Sequence, residues 1–169
     1  MIRPDSRQVD KASQDLSLSM LRQCVVLILK PISALRLKNL VDTRVYAAAV
    51  SGSIQIDNCS KCELFLSSRQ IRIHESCNLD LYLDVRSRPI IENSSGIHVA
   101  PFQFSYENSS VHRTLAKLDY GDNNWNSLQD FSWLKLCKSP NWNIIPELER
   151  LNLVDPLSLI HDPAHEEAL

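Results

Sequence analysis

The five residues from Gln70 to His74 carry the side chains whose types and spacing best suit a binding or catalytic role. They read Gln70, Ile71, Arg72, Ile73 and His74, an alternation of polar and apolar residues with a period of two. On a β-strand this period buries the two isoleucines and projects the three polar side chains from the opposite face. An arginine on such an outward face is free to point at a partner. The stretch marks a candidate site if neighbouring strands extend the same face.

The alternation recurs along the chain with a spacing of 17 to 19 residues. Apolar or small residues fall at offsets 0, 2, 5, 8, 10 and 12 of each copy, and the copies begin at Leu16, Leu35, Ile54, Ile71 and Pro89. A strand repeat this short excludes helix-pair repeats and propeller blades and is typical of a solenoid with three short strands per coil. The sequence therefore predicts an all-β fold, a parallel β-helix of about five coils over residues 15–105. An antiparallel sandwich is the competing interpretation, but the chain lacks the Asn-Gly and Asp-Gly hairpin turns that it would need.

Both flanks of the repeat are assigned from composition and packing. Residues 1–14 are polar and unpatterned, so a flexible lead-in is predicted, and the tail 156–169 is predicted to be flexible as well. Residues 106–155 are predicted to fold back as a cover on the β-helix, because an open coil end would expose a strand edge.

Four local features are predicted in and just before this cover. Phe102–Tyr106 is expected to complete a last strand, and residues 107–124 are expected to form a loop. A short helix is expected to begin at Pro146, because proline suits the first turn of a helix. A dense apolar group is expected from Trp125, Leu128, Phe131, Trp133, Leu134 and Leu136.

Composition and charge exclude several classes of function. A formal net charge of −2 does not support a broad nucleic-acid interface. Only three glycines are present, which disfavours a Gly-rich phosphate loop, and neither a Walker motif nor a dinucleotide fingerprint occurs. No membrane anchor is predicted, because the N-terminus lacks a signal-peptide core, the apolar run 24–29 is far too short to span a bilayer, and residue 2 is not glycine.

The cysteines are predicted to be reduced thiols in a cytoplasmic protein, because five is an odd number and no secretory signal is present. Cys59 and Cys62 resemble half of a zinc site, but a second pair of ligands is missing. Both occupy inward positions of the repeat, where cysteine acts as a small apolar residue. No metal site is predicted.

Stacking the predicted coils places Glu92 beside the candidate stretch. Three outward rows result: Ser53, Gln70 and Arg88; Gln55, Arg72 and Ile90; and Asp57, His74 and Glu92. Arg72, His74 and Glu92 are then within reach of one another, and Glu92 is placed to hold the Arg72 guanidinium by charge-assisted hydrogen bonds. From the pattern alone, a solvent-facing set of ion pairs without further function is the commoner interpretation of such a strip.

Several motifs that follow one another in order resemble one protein family. They are Gln70–His74, Val85–Glu92, Ser95–Ile97, Ala100–Phe102, Asn124–Trp125, Asp130–Leu134 and Ser139–Trp142. Together they are similar to the C-terminal domain of the tubulin-binding cofactor C family, over roughly residues 15–151. The family also includes the X-linked retinitis pigmentosa protein and, more distantly, the cyclase-associated actin-binding proteins. The resemblance implies a right-handed parallel β-helix, which agrees with the repeat.

The resemblance also implies a function. Cofactor C resembles a GTPase-activating protein that works with tubulin cofactors D and E, stimulating GTP hydrolysis by β-tubulin and releasing αβ-tubulin heterodimers. The arginine finger of the family falls on Arg72, with Gln70 and Glu92 in the supporting positions. Such a protein is not an enzyme with its own active site. It carries no nucleotide or metal cofactor, because these belong to the partner GTPase.

The partner-binding surface is predicted to include Arg69, His74, Arg86, Arg88 and Phe102. The implied location is the cytoplasm, in association with the cytoskeleton. Two other functions stay open: activation of an Arf-like small GTPase, and a non-catalytic cytoskeletal binding module. The missing acylation signal at residue 2 favours the tubulin partner, and the finger strand argues against a pure binding module.

Overall fold

Ten parallel strands form over residues 14–151, the part of the chain that the computed structural model describes. They stack into a β-helix of about five coils, so the predicted fold class is confirmed. The two segments predicted to be flexible, 1–14 and 156–169, lie outside the described residues apart from Gln14. Within the described residues, no helix is long and apolar enough to cross a membrane.

The strands follow the alternating segments of the sequence. Their bounds are β1 Asp15–Ser19, β2 Val25–Ile28, β3 Ala34–Lys38, β4 Arg44–Asp57, β5 Ser60–His74, β6 Cys77–Val85, β7 Ile90–Glu92, β8 Ser95–Pro101, β9 Gln129–Asp130 and β10 Trp142–Ile144. β4 and β5 are long enough to turn a corner, so each contributes to two faces of the solenoid.

Two faces of the solenoid organise the molecule. The front face stacks β1, β3, residues 53–57 of β4, residues 70–74 of β5, β7 and β9, in that order. The back face stacks β2, residues 44–50 of β4, residues 60–68 of β5, β6, β8 and β10. Since β9 and β10 come from the C-terminal cover, the cover adds one strand to each face.

Apolar side chains from both faces fill the interior in continuous rows. Two rows on the front face are at most 2% exposed: Leu35, Ile54 and Ile71 in one, and Leu37, Ile56, Ile73 and Ile91 in the other. The back face contributes rows such as Leu64, Leu81 and Val99. Each isoleucine or leucine that leaves water in this way contributes about 1.5–3 kcal/mol, so these rows are the main source of stability.

The chain leaves each of the first five front strands, β1, β3, β4, β5 and β7, through a residue with positive φ. These corner residues are Met20, Asn39, Asn58, Glu75 and Asn93. Asparagine tolerates this left-handed backbone, and Asn58 Nδ2 donates to Asn39 Oδ1 at 2.8 Å, which links two corners. Methionine and glutamate have no such preference, so closure of the coil imposes the conformation at those positions.

The prediction of a strand at residues 102–106 is wrong. β8 ends at Pro101, and the chain is irregular from there to the next turn. Its aromatic residues pack instead on outward rings of the back face, where the centroid of Phe104 lies 4.7 Å from that of Tyr46. Tyr46 itself stacks on Phe65 at 4.4 Å. Aromatic packing therefore replaces strand pairing in this segment.

A helix, α1 (Ser109–Leu115), lies within the segment that the sequence predicts as loop. None of its residues is buried, so the helix does not rest on an apolar face. Arg113 donates to the buried Asp84 carboxylate at 2.5 Å, and Leu118, just beyond the helix, packs with Ala49. The helix is thus attached by the contacts of Arg113 with Asp84 and Ser67, by a hydrogen bond between His112 and the Tyr106 hydroxyl, and by the residues that follow it.

The cover is attached differently from the prediction. The helix expected from Pro146 is present as one 3-10 turn, Glu147–Glu149. Of the expected apolar group, Leu128 is buried, but Phe131, Leu134 and Leu136 are 50%, 92% and 109% exposed. The cover is therefore attached through β9, β10 and hydrogen bonds more than through this apolar group.

Replacement of Ile73 by alanine tests the inward rows. Ile73 is 1% exposed, so the substitution removes buried methyl groups and leaves a cavity. We expect Ile73→Ala to lower the free energy of unfolding by about 2–5 kcal/mol, measured by urea denaturation and circular dichroism. Arg72→Ala is the matched control, because the neighbouring Arg72 is exposed and should change stability by no more than about 0.5 kcal/mol. Equal losses in the two variants would contradict this packing.

Candidate functional site

Strand register on the front face produces outward rows of side chains. The pairs are Gln55 with Arg72, Arg72 with Ile90, Asp57 with His74, His74 with Glu92, and Ser53 with Gln70. Two of the three predicted rows are confirmed by these pairs. In the third, Arg88 precedes β7 and has no place in the register.

Arg72 projects from this face on a strand whose orientation is well determined. Its neighbours Ile71 and Ile73 point inward and are 0% and 1% exposed, so a slip of one residue would bury the arginine instead. The Arg72 side chain is exposed, and within residues 14–151 its guanidinium has no hydrogen bond or ion pair. It borders a shallow cavity of about 190 Å³ that Gln55 and Glu92 also line. Arg72 can therefore meet an anionic ligand without first breaking an internal contact.

The row that contains Arg72 also contains an arginine that is already engaged. Arg36 donates through Nη2 to Gln55 Oε1 at 2.9 Å. Arg36 pairs with Gln55, and Gln55 with Arg72, so the two arginines stand two strand spacings apart, about 10 Å between Cα atoms. Gln55 thus engages one guanidinium and leaves the other free.

Glu92 lines the same cavity as Arg72 but is not within ion-pairing distance of its guanidinium. The charge-assisted pair expected between them is therefore absent in the unbound protein. His74 lies close to acidic neighbours, since Nδ1 is 3.6 Å from Asp57 Oδ1 and Nε2 is 4.0 Å from Glu75 Oε1. The four polar side chains Gln70, Arg72, His74 and Glu92 nevertheless share one solvent-facing surface, as the sequence predicts.

Arg86, which the sequence analysis assigns to partner binding, is engaged inside the protein. Its guanidinium pairs with Asp84 and donates to the Gly121 carbonyl at 2.8 Å, and its side chain is 14% exposed. Asp84 also accepts from Ser67 Oγ at 2.8 Å and from Arg113 Nη1 at 2.5 Å. This buried carboxylate joins the solenoid to the cover, so Arg86 has a structural part in the unbound protein.

The remaining residues of the predicted partner surface are spread apart. Arg69 donates to the Tyr120 hydroxyl at 3.4 Å, whereas Arg88 is exposed and has no partner among the described residues. Phe102 packs edge-on against Phe104, with ring centroids 6.1 Å apart, and lines a different cavity from Arg72. The structure therefore separates Phe102 from the solvent-facing surface of Gln70, Arg72, His74 and Glu92, which we call the arginine surface.

This geometry has parallels in known proteins. The family model "Tubulin binding cofactor C" matches residues 13–131. The chain belongs to this family. A solved structure of tubulin binding cofactor C from Leishmania major superposes with a TM-score of 0.69 at 20% identity, covering 82% of this chain and 92% of that one. At that identity, the superposition shows a shared fold.

Curated members of the cofactor C family are similar over most of this chain. Tubulin-folding cofactor C of Arabidopsis thaliana is 43% identical over 140 residues, which cover 83% of this chain and 41% of that protein. Tubulin-specific chaperone C of Homo sapiens is 35% identical over 147 residues, covering 86% of this chain and 42% of that protein. Protein XRP2 of Danio rerio is 31% identical over 97 residues, covering 55% of this chain and 25% of that protein. The chain spans about two fifths of the length of the cofactor C relatives.

In this member of the family, β9 extends the arginine surface in a way that the sequence analysis missed. Gln129 pairs with Ile90 and so continues the row of Arg72. Phe131 follows β9, donates its N–H to the Ile91 carbonyl at 2.9 Å, and so stands next to Glu92. No local sequence pattern indicates that β9 pairs with β7, because Gln129 comes 39 residues after Ile90, the residue with which it pairs.

Cys59 and Cys62 of this family member lie inside the solenoid. Burial raises the pKa of the Cys59 thiol to about 11, so the thiol is protonated at neutral pH and is a poor nucleophile or metal ligand. Across the described part of the chain, no group of three or more histidine, cysteine, aspartate or glutamate side chains is placed to hold a metal ion. The two cysteines pack as small apolar residues.

Alanine variants of Arg86 and Arg88 test the division between engaged and free arginines. Arg86→Ala leaves the buried Asp84 with fewer donors, so we expect the free energy of unfolding to fall by roughly 1–3 kcal/mol. Arg88→Ala, two residues further along the chain and exposed, is the matched control and should change stability by no more than about 0.5 kcal/mol. Urea denaturation of the two variants measures the difference. If Arg88→Ala is as destabilising as Arg86→Ala, the assignment is wrong.

Proposed function

We propose that this chain is an activator of GTP hydrolysis by β-tubulin, acting with tubulin cofactors D and E to release αβ-tubulin heterodimers. Arg72 serves as an arginine finger that enters the nucleotide site of the partner. The observation that carries the proposal is the exposed Arg72 guanidinium, which has no internal partner in the described residues and stands on a strand held by two buried isoleucines. The names of the curated relatives, tubulin-folding cofactor C and tubulin-specific chaperone C, support tubulin as the partner.

The chemistry asked of Arg72 is electrostatic. As the γ-phosphate leaves, negative charge spreads over its oxygens, and a guanidinium placed there stabilises the transition state. An arginine supplied in this way by a partner protein is worth about 10³–10⁵ in rate. The nucleotide and its metal ion belong to the GTPase, so the activator needs no active site of its own.

Gln70 and Glu92 take supporting roles in this proposal. Gln70 lies two residues before Arg72 on the same outward surface, about 7 Å along the strand, where its amide is exposed. Glu92 lines the cavity beside Arg72. When the partner excludes water from this cavity, the Glu92 carboxylate becomes a strong acceptor for the guanidinium and orients it. His74 lines the same cavity as Arg72, and Arg69 and Arg88 make further contacts with the partner.

Single-turnover hydrolysis of GTP by tubulin tests the finger. We expect wild-type protein, added with cofactors D and E, to stimulate hydrolysis, and Arg72→Ala to lose about 10³-fold or more of the stimulation. Arg72→Lys should restore little, because lysine lacks the planar fork of donors. Arg36→Ala is the matched control, since Arg36 stands in the same row but is bound to Gln55, and it should stimulate like the wild type.

The outcomes separate the finger from its alternatives. Equal stimulation by wild type and Arg72→Ala would rule out Arg72 as the finger. Loss of stimulation together with loss of stability in Arg72→Ala would indicate a structural arginine. If the wild type does not stimulate tubulin, the tubulin proposal fails, and the same assay with an Arf-like small GTPase tests the other partner considered above.

A further inference from the structure

The last coil carries an insertion at the corner after β9. In the preceding coil the chain passes from Glu92 to Ile97, and the corresponding passage in the last coil runs from Phe131 to Trp142. The second passage is six residues longer than the first, so residues 133–138 must bulge away from the solenoid. We call these six residues the tip.

Polar contacts hold the base of the tip in place. The Asp130 carboxylate accepts from Ser139 Oγ at 2.6 Å, from Asn141 Nδ2 at 2.7 Å and from the Ser132 N–H at 3.0 Å. Trp133 Nε1 donates to the Cys137 carbonyl at 2.8 Å, which closes the loop on itself. These hydrogen bonds fix the conformation of the tip.

This shape displays two leucines to solvent. Leu134 and Leu136 are 92% and 109% exposed. The tip's two lysines, in contrast, turn onto aromatic rings: Lys135 Nζ is 4.9 Å from the ring centroid of Trp133, and Lys138 Nζ is 4.8 Å from that of Trp142. The loop thus places its two lysines against aromatic rings while leaving its two leucines in water, an arrangement that suits contact with a second apolar surface.

Size and position indicate what that surface belongs to. Two leucines are a small part of the roughly 1,200 Å² that a specific protein interface buries, so the tip must belong to a larger contact. They would also hold a lipid surface only weakly, because even a full myristoyl chain does so marginally. The tip lies at the corner between β9 on the front face and β10 on the back face, and Phe131, at its base, stands beside Glu92. Of these two faces, the front face is the one that presents the unpartnered Arg72. The tip therefore extends the arginine surface.

We propose that the tip docks into an apolar pocket on the GTPase whose nucleotide site Arg72 enters. The inference rests on the proposed function, because it takes that GTPase as the occupant. Charge defines the pocket further. Lys135 lies between the two leucines and Lys138 follows them, and the exposed Arg72 and Arg88 have no partner among the described residues, so the pocket should have an acidic rim. The tip contributes binding affinity for the GTPase, whereas Arg72 raises the rate of GTP hydrolysis.

The test measures binding and hydrolysis separately, with the full chain. Fluorescently labelled wild type and a Leu134→Ser/Leu136→Ser variant are titrated with tubulin bound to cofactors D and E, and anisotropy gives Kd. We expect Kd to rise at least tenfold, because two leucines lose their apolar burial. In single-turnover assays the saturated rate should stay within about twofold, while Arg72→Ala should lose the rate and keep most of the affinity.

Leu148→Ser is the matched control for the double variant. Leu148 is 101% exposed but lies on the 3-10 turn Glu147–Glu149, away from the tip, so its replacement should leave Kd unchanged. Since all three leucines are exposed, the variants should melt at the wild-type temperature. Equal Kd values for the wild type and the double variant would overturn the docking role.

Two further outcomes separate this inference from the proposed function. If the wild type binds the tubulin complex without stimulating hydrolysis, the activator proposal fails, and the Kd ratio still decides the docking role. If the wild type does not bind the complex, both are overturned. Vesicles with and without phosphatidylserine provide the last arm: a double variant that loses vesicle binding but keeps tubulin affinity would assign the tip to a lipid surface instead.

Discussion

The stacking of apolar side chains in register inside the solenoid is the interaction on which every other feature depends. Parallel strands alternate their side chains between the two faces, so a shift of one residue would exchange the interior with the surface. Burial of Ile71 and Ile73 prevents that shift and makes Arg72 an outward residue. The same register carries the surface from Arg72 to Ile90 and on to Gln129, although these residues come from distant parts of the chain. The position of the candidate site is thus a consequence of the core.

The solenoid and its central outward rows could be predicted because the information is local and repeated. A spacing of 17 to 19 residues persists through five copies, and adding one period to Gln55 or Arg72 gives its neighbour on the next strand. The backbone conformation of the corner residues was harder to predict. Asn39, Asn58 and Asn93 suit a left-handed backbone, but Glu75 adopts it because the coil must close there. This requirement comes from the geometry of the whole coil, so the residue type at the corner does not reveal it.

The parts that escaped prediction are those in which partners lie far apart in the sequence. The sequence analysis assigned Arg86 to partner binding, but Arg86 pairs with the buried Asp84 and donates to the Gly121 carbonyl of the cover. The cover also brings Arg113 to the same carboxylate, and neither contact can be read from the sequence around Arg86. Likewise, the sequence analysis expected the apolar residues after β9 to pack in a dense apolar group. The insertion in the last coil turns Leu134 and Leu136 outward, because the six extra residues cannot follow the solenoid wall.

The contrast between engaged and free arginines bears directly on how an activator of this kind can work. A guanidinium that is already paired, such as that of Arg86 or Arg36, must break a contact before it can serve a partner. Arg72 avoids that cost but keeps its side-chain freedom, and ordering a long side chain costs about 2 kcal/mol on binding. The Arg72 backbone is already ordered before binding, because both of its neighbours are buried in the core, so binding need not lower the backbone entropy further. Under the proposed function, a separate docking element has a clear physical use. It would supply the affinity that offsets the remaining side-chain ordering, so that the interactions of Arg72 act on the transition state.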